Sequence, residues 1–357
     1  METAKTVWGI DIGQWALKAV ELRGTGEGVD LEGFEVIEHA GSPPAPGPDR
    51  GRLLRETLHR FLDRVSLEGT HVVVSVPGRC GCTHFVHLLP VDSGSVPKLV
   101  RYEAAQQVPF PLEESIWRWQ TFRDPDRPEV ADVDVGIFAL RRSDVGEMLL
   151  LFAEANVNVD TMQMVPLALH NVMTFDGQLA EDGATMLVDV GAAETNVVVA
   201  DGRRIYTRAI ELGGERLTEA IAPVAGELAE AVRRAADAYT SEHPEAAFRR
   251  VLATGGAVRL PALRASLEQA LGMPVGRIEG FRRLAVSARA REPAFAENVP
   301  ALAVAYGLAL QGLGVTAIHA NFLPSGIAHK WGWQRGKPPG ALRRFLRGML
   351  GRRGDGQ

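Results

Sequence analysis

Val7-Trp8-Gly9-Ile10-Asp11-Ile12-Gly13, returning as Leu17-Lys18-Ala19-Val20-Glu21, has a second version in Met186-Leu187-Val188-Asp189-Val190-Gly191, returning as Thr195-Asn196-Val197-Val198-Val199. Each is an apolar strand that ends in Asp-x-Gly, turns through a few residues and comes back as a strand. Glycine at such a strand end lets backbone amides approach an anion, and successive turn N–H groups form a concave phosphate nest. Asp11 and Asp189 stand where a hydrated Mg²⁺ bridges phosphates, and Lys18 adds a mobile positive charge. A single Asp-x-Gly is common to many hairpins. Two copies 178 residues apart, each opening a strand-rich half, specify far more. A third element fits them: Ala253-Thr254-Gly255-Gly256-Ala257 follows a buried strand, and paired glycines let a nucleotide lie against the main chain.

Around these turns lies an ordinary globular composition, 46% hydrophobic and 23% charged over 357 residues, which is long enough for two or more domains. No apolar run reaches the ~18 residues needed to cross a bilayer. Glu2 and Lys5 lead directly into a strand-like segment without a signal pattern, so a cytoplasmic location is expected. Cys80 and Cys82 are too few for a disulfide framework or a four-ligand metal site and read as ordinary thiols. Net charge is −5, unevenly spread: residues 315–357 carry eight basic side chains against Asp355, a charge of +7 that leaves −12 for the remainder. An acidic body excludes a nucleic-acid-binding face, and a basic tail points to an anionic partner.

The spacing along the chain predicts strands over 7–11, 17–22 and 31–39, a proline-rich loop at 42–48, a helix over 53–65 and a strand over 71–76 closed by Pro77-Gly78. Residues 79–160 alternate strand and helix on their own account: strand 85–89, helix 96–107 stopped before Pro109, strands 117–122 and 133–140 about a turn at 124–128, and a helix from Ser143 to about Ala155. They read as an inserted subdomain. A helix over 166–174 returns to the first core, followed by strands 186–190, 196–200 and 205–210. A short helix over 217–222 is interrupted at Pro223, and a longer one over 227–240 leads to a strand at 251–254. An alanine-rich helix over 301–311 ends the globular part. The expected domains are 5–78 with 161–182 as a first half, 79–160 as the insertion, 183–314 as a second half and 315–357 as a tail.

This constellation resembles the actin-like ATPase superfamily and, within it, the PilM family of type IV pilus assembly proteins, related to the division protein FtsA. The most specific match is Tyr102-Glu103-Ala104-Ala105-Gln106-Gln107-Val108-Pro109-Phe110-Pro111-Leu112-Glu113-Glu114, which is similar to the family's signature in the inserted subdomain. Glu211-Leu212-Gly213-Gly214-Glu215 and Ala303-Val304-Ala305-Tyr306-Gly307-Leu308-Ala309-Leu310 match further. The resemblance spans roughly 5–325 and implies an α/β, actin-like (ribonuclease H-like) fold of two halves around a nucleotide cleft, with a small α/β subdomain of the FtsA type inserted in the first half. It implies ATP with Mg²⁺ as ligand, held by Asp11, Gly13, Gln14 and Lys18 in the first turn, Asp189, Gly191, Ala192 and Thr195 in the second, and Gly213, Gly214, Gly255 and Gly256, with Asp11 and Asp189 reaching the metal through water. It also implies a PilN-like inner-membrane partner, whose short cytoplasmic peptide of the type Asn-Leu-Leu-Pro lies in a groove beside the insertion, shaped in part by the Pro109-Phe110-Pro111 elbow. A pilus assembly ATPase is a further candidate partner.

Departures from the family bear on mechanism. Many relatives carry a hydroxyl residue after the first Asp-x-Gly, where this chain has Gln14 and Trp15. Glu194 brings a carboxylate close to where phosphate would lie, so it must point away or repel the anion. In hydrolysing relatives such as MreB the residue before the proline of Met164-Val165-Pro166 is a glutamate that positions water, and Val165 can neither orient nor deprotonate water. Nucleotide binding with weak or absent hydrolysis is the expectation. In the tail, Ala320-Asn321-Phe322-Leu323-Pro324 resembles the partner's peptide: either it fills the chain's own groove, or it closes on the C-terminal half, which is the reading we favour. Leu342, Phe345, Leu346, Met349 and Leu350, flanked by Arg343, Arg344 and Arg347, form a short basic amphipathic stripe over 341–350 suited to an anionic membrane surface at the inner face of the cytoplasmic membrane. An FtsA-like division protein and an actin-fold kinase are the alternatives, and no substrate-side base for a kinase stands out.

Overall fold

The computed structural model describes residues 5–25, 28–40, 48–89, 94–122, 133–215, 221–285 and 287–324. The proline-rich stretch through 47, the turn at 124–128, most of the helix expected at 217–222 and the amphipathic stripe at 341–350 lie outside them.

The repeat seen in the sequence is a repeat of the fold. One five-stranded sheet has the order β3-β2-β1-β4-β8, and the other β11-β10-β9-β12-β13. In the first, β1 (Thr6–Ile12), β2 (Ala16–Gly24) and β3 (Val29–Glu38) run antiparallel, while β4 (His71–Val76) and β8 (Thr161–Met164) lie parallel to β1. In the second, β9 (Ala184–Val190), β10 (Thr195–Asp201) and β11 (Arg204–Ile210) are antiparallel, and β12 (Phe248–Thr254) and β13 (Val275–Arg277) continue in parallel. The central strands β1 and β9 are apolar almost without alternation because helices cover both faces of each sheet. The register places Asp11 opposite Lys18 and Asp189 opposite Asn196. The two Asp-x-Gly turns therefore sit at equivalent sheet ends.

The insertion is a three-stranded antiparallel sheet, β5-β7-β6, from β5 (Gly81–Leu88), β6 (Ser115–Phe122) and β7 (Val133–Arg141). Along β7, Val133, Val135, Ile137 and Ala139 pack on α2 (Val96–Gln107), while Phe138 and Leu140 face the main core. This period of two is what one-sided strands require. Between the insertion and the first sheet lie α3 (Arg142–Glu154) and α1 (Pro48–Leu62); the second sheet carries α5 (Ile221–Glu242) and α6 (Pro261–Leu271) around its own core. Neither α6 nor β13 was read from the sequence.

Two helices differ from expectation. Pro223 does not break a helix: it sits in the first turn of α5, where a missing N–H leaves no bond unmade. The helix expected from 301 begins earlier, as α7 (Pro293–Leu313), with Pro300 inside it and Gly314 ending it in the left-handed region at φ 80°. The buried residues of α7 share one core with the first sheet. The helix packs on β1, β2, β4 and α4 (Val165–Phe175), because Gly9 and Gly307 let its backbone come so close to β1 and α4 that a Cβ at either would collide with a carbonyl oxygen.

After α7 the chain does not close on the C-terminal half. Residues 318–323 run along the seam between the first sheet and the insertion. The Phe322 amide donates to Met162 O (2.9 Å), and Asn321 Oδ1 accepts the amides of Met162 and Leu323. Arg118 on β6 donates to the Asn321 and Leu323 carbonyls at 2.7 and 2.9 Å, and Gln120 brackets Ala317 and His319. Buried backbone needs such partners, and side chains supply them here because this segment belongs to no sheet.

Candidate functional site

Both Asp-x-Gly turns close in the same way. Gly13 N donates to Ala16 O and Gly191 N to Glu194 O, each at 3.0 Å. Within the described residues this leaves the amides of Gln14, Trp15, Ala192 and Ala193 without a backbone acceptor, and all four residues line one cleft. That cleft is a cavity of about 420 Å³ walled by both sheets. Asp11, Gly13, Gln14 and Lys18 line it from the first half, and Asp189, Gly191, Ala192, Gly214 and Gly256 from the second. Leu260 with Ala301 and Val304 of α7 adds an apolar part to the lining, of the kind that covers a flat ring.

Three of the expected contact residues stand behind the cavity. Thr195 is fully buried, and its hydroxyl donates to Leu212 O at 2.8 Å. Gly213 packs against the Ala192 backbone where a side chain would collide. Gly255, at φ 95°, packs on Val190 and gives its amide to Pro300 O (2.9 Å). These glycines shape the turns and do not line the cleft.

The two aspartates differ electrically. Asp11 accepts Lys18 Nζ at 2.8 Å and Ser75 Oγ at 2.7 Å, so its charge is compensated twice. Burial alone would lower the Lys18 pKa, but the Asp11 charge and hydrogen bond carry it upward. Among the described residues Asp189 has only the Asn196 amide, at 3.5 Å. Burial pushes its pKa up to about 6, with Lys18 pulling down and Asp11 pushing up. Asn196 Oδ1 is buried without a partner. Two carboxylates beside one ammonium leave hard oxygen donors with a deficit of positive charge, which fits a hydrated divalent cation.

Sequence reasoning missed the supports. His39 Nε2 donates to Gly13 O (3.2 Å) while its Nδ1 accepts the Thr57 hydroxyl (2.8 Å), bracing the first turn. Burial lowers its pKa, so the neutral ring is the working form. Arg50 and Arg79 also line the cavity. Nothing in the local pattern marks them, since their roles depend on β4 and α1 meeting at the cleft. Val165, at the start of α4, lines the cavity with an apolar side chain. Glu194 lies at the edge, its carboxylate turned to Gly78 N and Arg79.

Duplicated sheets of this topology, with an Asp-x-Gly turn from each facing one cleft, define an actin-like ATPase fold. A family model for type IV pilus assembly protein PilM matches residues 9–226 and 219–313, and the chain belongs to that family. Among solved structures, the chain is similar to a PilM–PilN type IV pilus biogenesis complex at 23% identity, with 86% of this chain and 98% of that chain covered and a TM-score of 0.71. It is more distantly similar to the ethanolamine utilization protein EutJ from Carboxydothermus hydrogenoformans, at 13% identity over 87% of this chain and 90% of that one, TM-score 0.46. An activator of 2-hydroxyisocaproyl-CoA dehydratase from Clostridium difficile with bound ADPNP matches at 13% identity over 87% and 94%, TM-score 0.40. Among the described residues no helix is long and apolar enough to cross a membrane.

Proposed function

We propose that this protein is a nucleotide-binding scaffold of type IV pilus assembly at the inner face of the cytoplasmic membrane, holding ATP with Mg²⁺ between its two halves. The observation that carries the reading is the convergence of both turns on a single cavity. The amides of Gln14, Trp15, Ala192 and Ala193 bind phosphate oxygens, and the apolar wall of Leu260, Ala301 and Val304 takes the base. Asp11 and Asp189 would hold a hydrated magnesium ion, which would supply charge neutralisation for the phosphates.

Hydrolysis is weak or absent in this reading. An attacking water needs a group that orients it and takes its proton, and the α4 start offers Val165 there. Asp11 and Asp189 are committed to cation binding and Glu194 to Arg79, so the nucleotide acts as a clamp that sets the relative position of the halves. For the partner, we infer a PilN-like protein that places a short peptide beside the insertion. The outward face of α2, with Tyr102 exposed, and the Phe110 ring under the Arg141 guanidinium (5.2 Å) are the surface available to it.

Calorimetric titration with Mg-ATP, with and without a PilN-type peptide, tests the reading. Trp15, half-exposed at the cleft, gives a fluorescence report of the same event. Saturable binding that Asp11→Ala abolishes is expected. Turnover at an ordinary enzymatic rate, lost in Asp11→Ala, would sink the scaffold reading in favour of an ATPase.

A further inference from the structure

Glu194 belongs to the second phosphate turn, where a carboxylate would repel a polyphosphate, yet it is held in place. Its Oε1 accepts the Gly78 amide at 2.9 Å and its Oε2 accepts Arg79 Nη1 at 2.6 Å, and the side chain is only 11% exposed. A backbone N–H beside a guanidinium is a receptor for a two-oxygen anion. The receptor is built on one side of the cleft, after β4, where the insertion begins. The anion that fills it comes from the other side.

Arg50, in the first turn of α1, lines the same cavity and has no acidic partner at salt-bridge distance among the described residues. Burial and then the charge of Arg79 lower its pKa, which marks the two guanidinium groups as neighbours. Lys18 is bound to Asp11. Glu194 therefore has Arg79 bonded to it and the charge of Arg50 close by, while Arg50 itself has no carboxylate at salt-bridge distance among the described residues.

We propose that the Gly78 amide, Arg79 and Arg50 form the receptor for the terminal phosphate of a nucleoside triphosphate, and that Glu194 fills this receptor when no triphosphate is bound. The inference rests on the nucleotide reading above and deepens it. A diphosphate seated on the turn amides leaves the Glu194–Arg79 pair intact. A third phosphate brings more charge and more acceptor oxygens than a carboxylate. It takes Arg79 from Glu194 and engages Arg50, which the carboxylate leaves unpaired. The site thereby separates triphosphate from diphosphate without a catalytic group.

The test is calorimetric titration of the full chain with Mg²⁺ and a non-hydrolysable ATP analogue, and separately with Mg-ADP, for the wild type, Arg50→Ala, Arg79→Lys and Glu194→Gln, with melting curves to verify folding. Arg50→Ala should weaken the analogue by roughly tenfold or more, the effect of losing a charge-assisted hydrogen bond, and leave ADP nearly unchanged. Glu194→Gln should tighten the analogue selectively, because it removes the competing charge. Equal weakening of both nucleotides by Arg50→Ala, or no change in either, overturns the inference while the nucleotide reading stands. If the wild type binds neither nucleotide, the nucleotide reading itself fails and takes this inference with it.

Discussion

Asp189 is the residue on which the electrostatics of the cleft can be tested most directly. Its pKa stands at about 6 in the folded protein, above the 3.8 of the free side chain. A carboxyl whose folded pKa is raised contributes stability that is fully present below the unfolded pKa and is lost as pH rises through the folded one. The metal-free protein therefore loses stability between about pH 4 and pH 6 on account of this group, by up to about 3 kcal/mol for a shift of this size. Asp189→Asn keeps the shape without the charge. Metal-free Asp189→Asn should melt above the wild type at pH 8 and level with it near pH 4, and a variant that melts below the wild type at pH 8 would refute the argument. The same ionisation governs cation binding, since only the carboxylate attracts the metal. Mg-dependent nucleotide affinity should thus climb from pH 5 to pH 7 in titrations, with the steepest change near 6. His39 contributes differently: with its neutral ring bracing Gly13 O, His39→Ala should loosen the first turn and lower nucleotide affinity with little change at the second.

At the scale of elements, α7 and the 318–323 segment hold the first half together through unlike chemistry. α7 reaches β1 and α4 by removing side chains at the crossing points, Gly9 and Gly307. Gly9→Ala forces backbone apart in a packed core and should cost roughly 2–3 kcal/mol in urea denaturation. Gly226→Ala, in α5 with open space around it, should instead stabilise by about 0.5–1 kcal/mol. The 318–323 segment is held by side chains that read its backbone, so Arg118→Ala removes donors from two carbonyls at once. Faster amide exchange at Phe322, without a change in β1, is the expected outcome. These elements also show what a sequence exposes. The strand–turn–strand repeat was legible because period, glycine and aspartate all lie within a few residues of one another. The match at 303–310 was visible too, but its partner surface was not, since the reason for Gly307 is a carbonyl of Ala168, on a different helix. Arg118 and Gln120 looked like ordinary strand residues, and only the folded chain brings 317–323 against them.

At the scale of the whole molecule, the cleft joins two halves that are only partly separate. The second half has its own core around α5 and α6, but Leu187, Val198 and Leu252 from its sheet pack into the main core under α4 and α7. The Glu194–Arg79 pair, the Thr83–Thr207 hydroxyls at 2.9 Å and the Thr254 bond to Pro300 O at 2.8 Å add polar ties across the junction. Helical spacing shows that a face of α7 is apolar, not which sheet that face meets; the contacts with β1, β2 and β4 are visible only in the folded chain. The junction also sets a condition on the proposed ligand. A nucleotide bound through both turns must lose its hold when either is damaged, although Asp11 and Asp189 stand on different sheets. Bound ligand stabilises by RT ln(1 + [L]/Kd), about 2.7 kcal/mol at one hundred times Kd, which for a chain of this size is a rise of roughly 3–4 °C in Tm. Mg-ATP should raise the wild-type Tm by about that amount, and Asp11→Asn and Asp189→Asn should each abolish the whole rise at the same concentration. If the rise survives intact in one of the two variants, the nucleotide is held by a single half, and the clamp between halves is excluded.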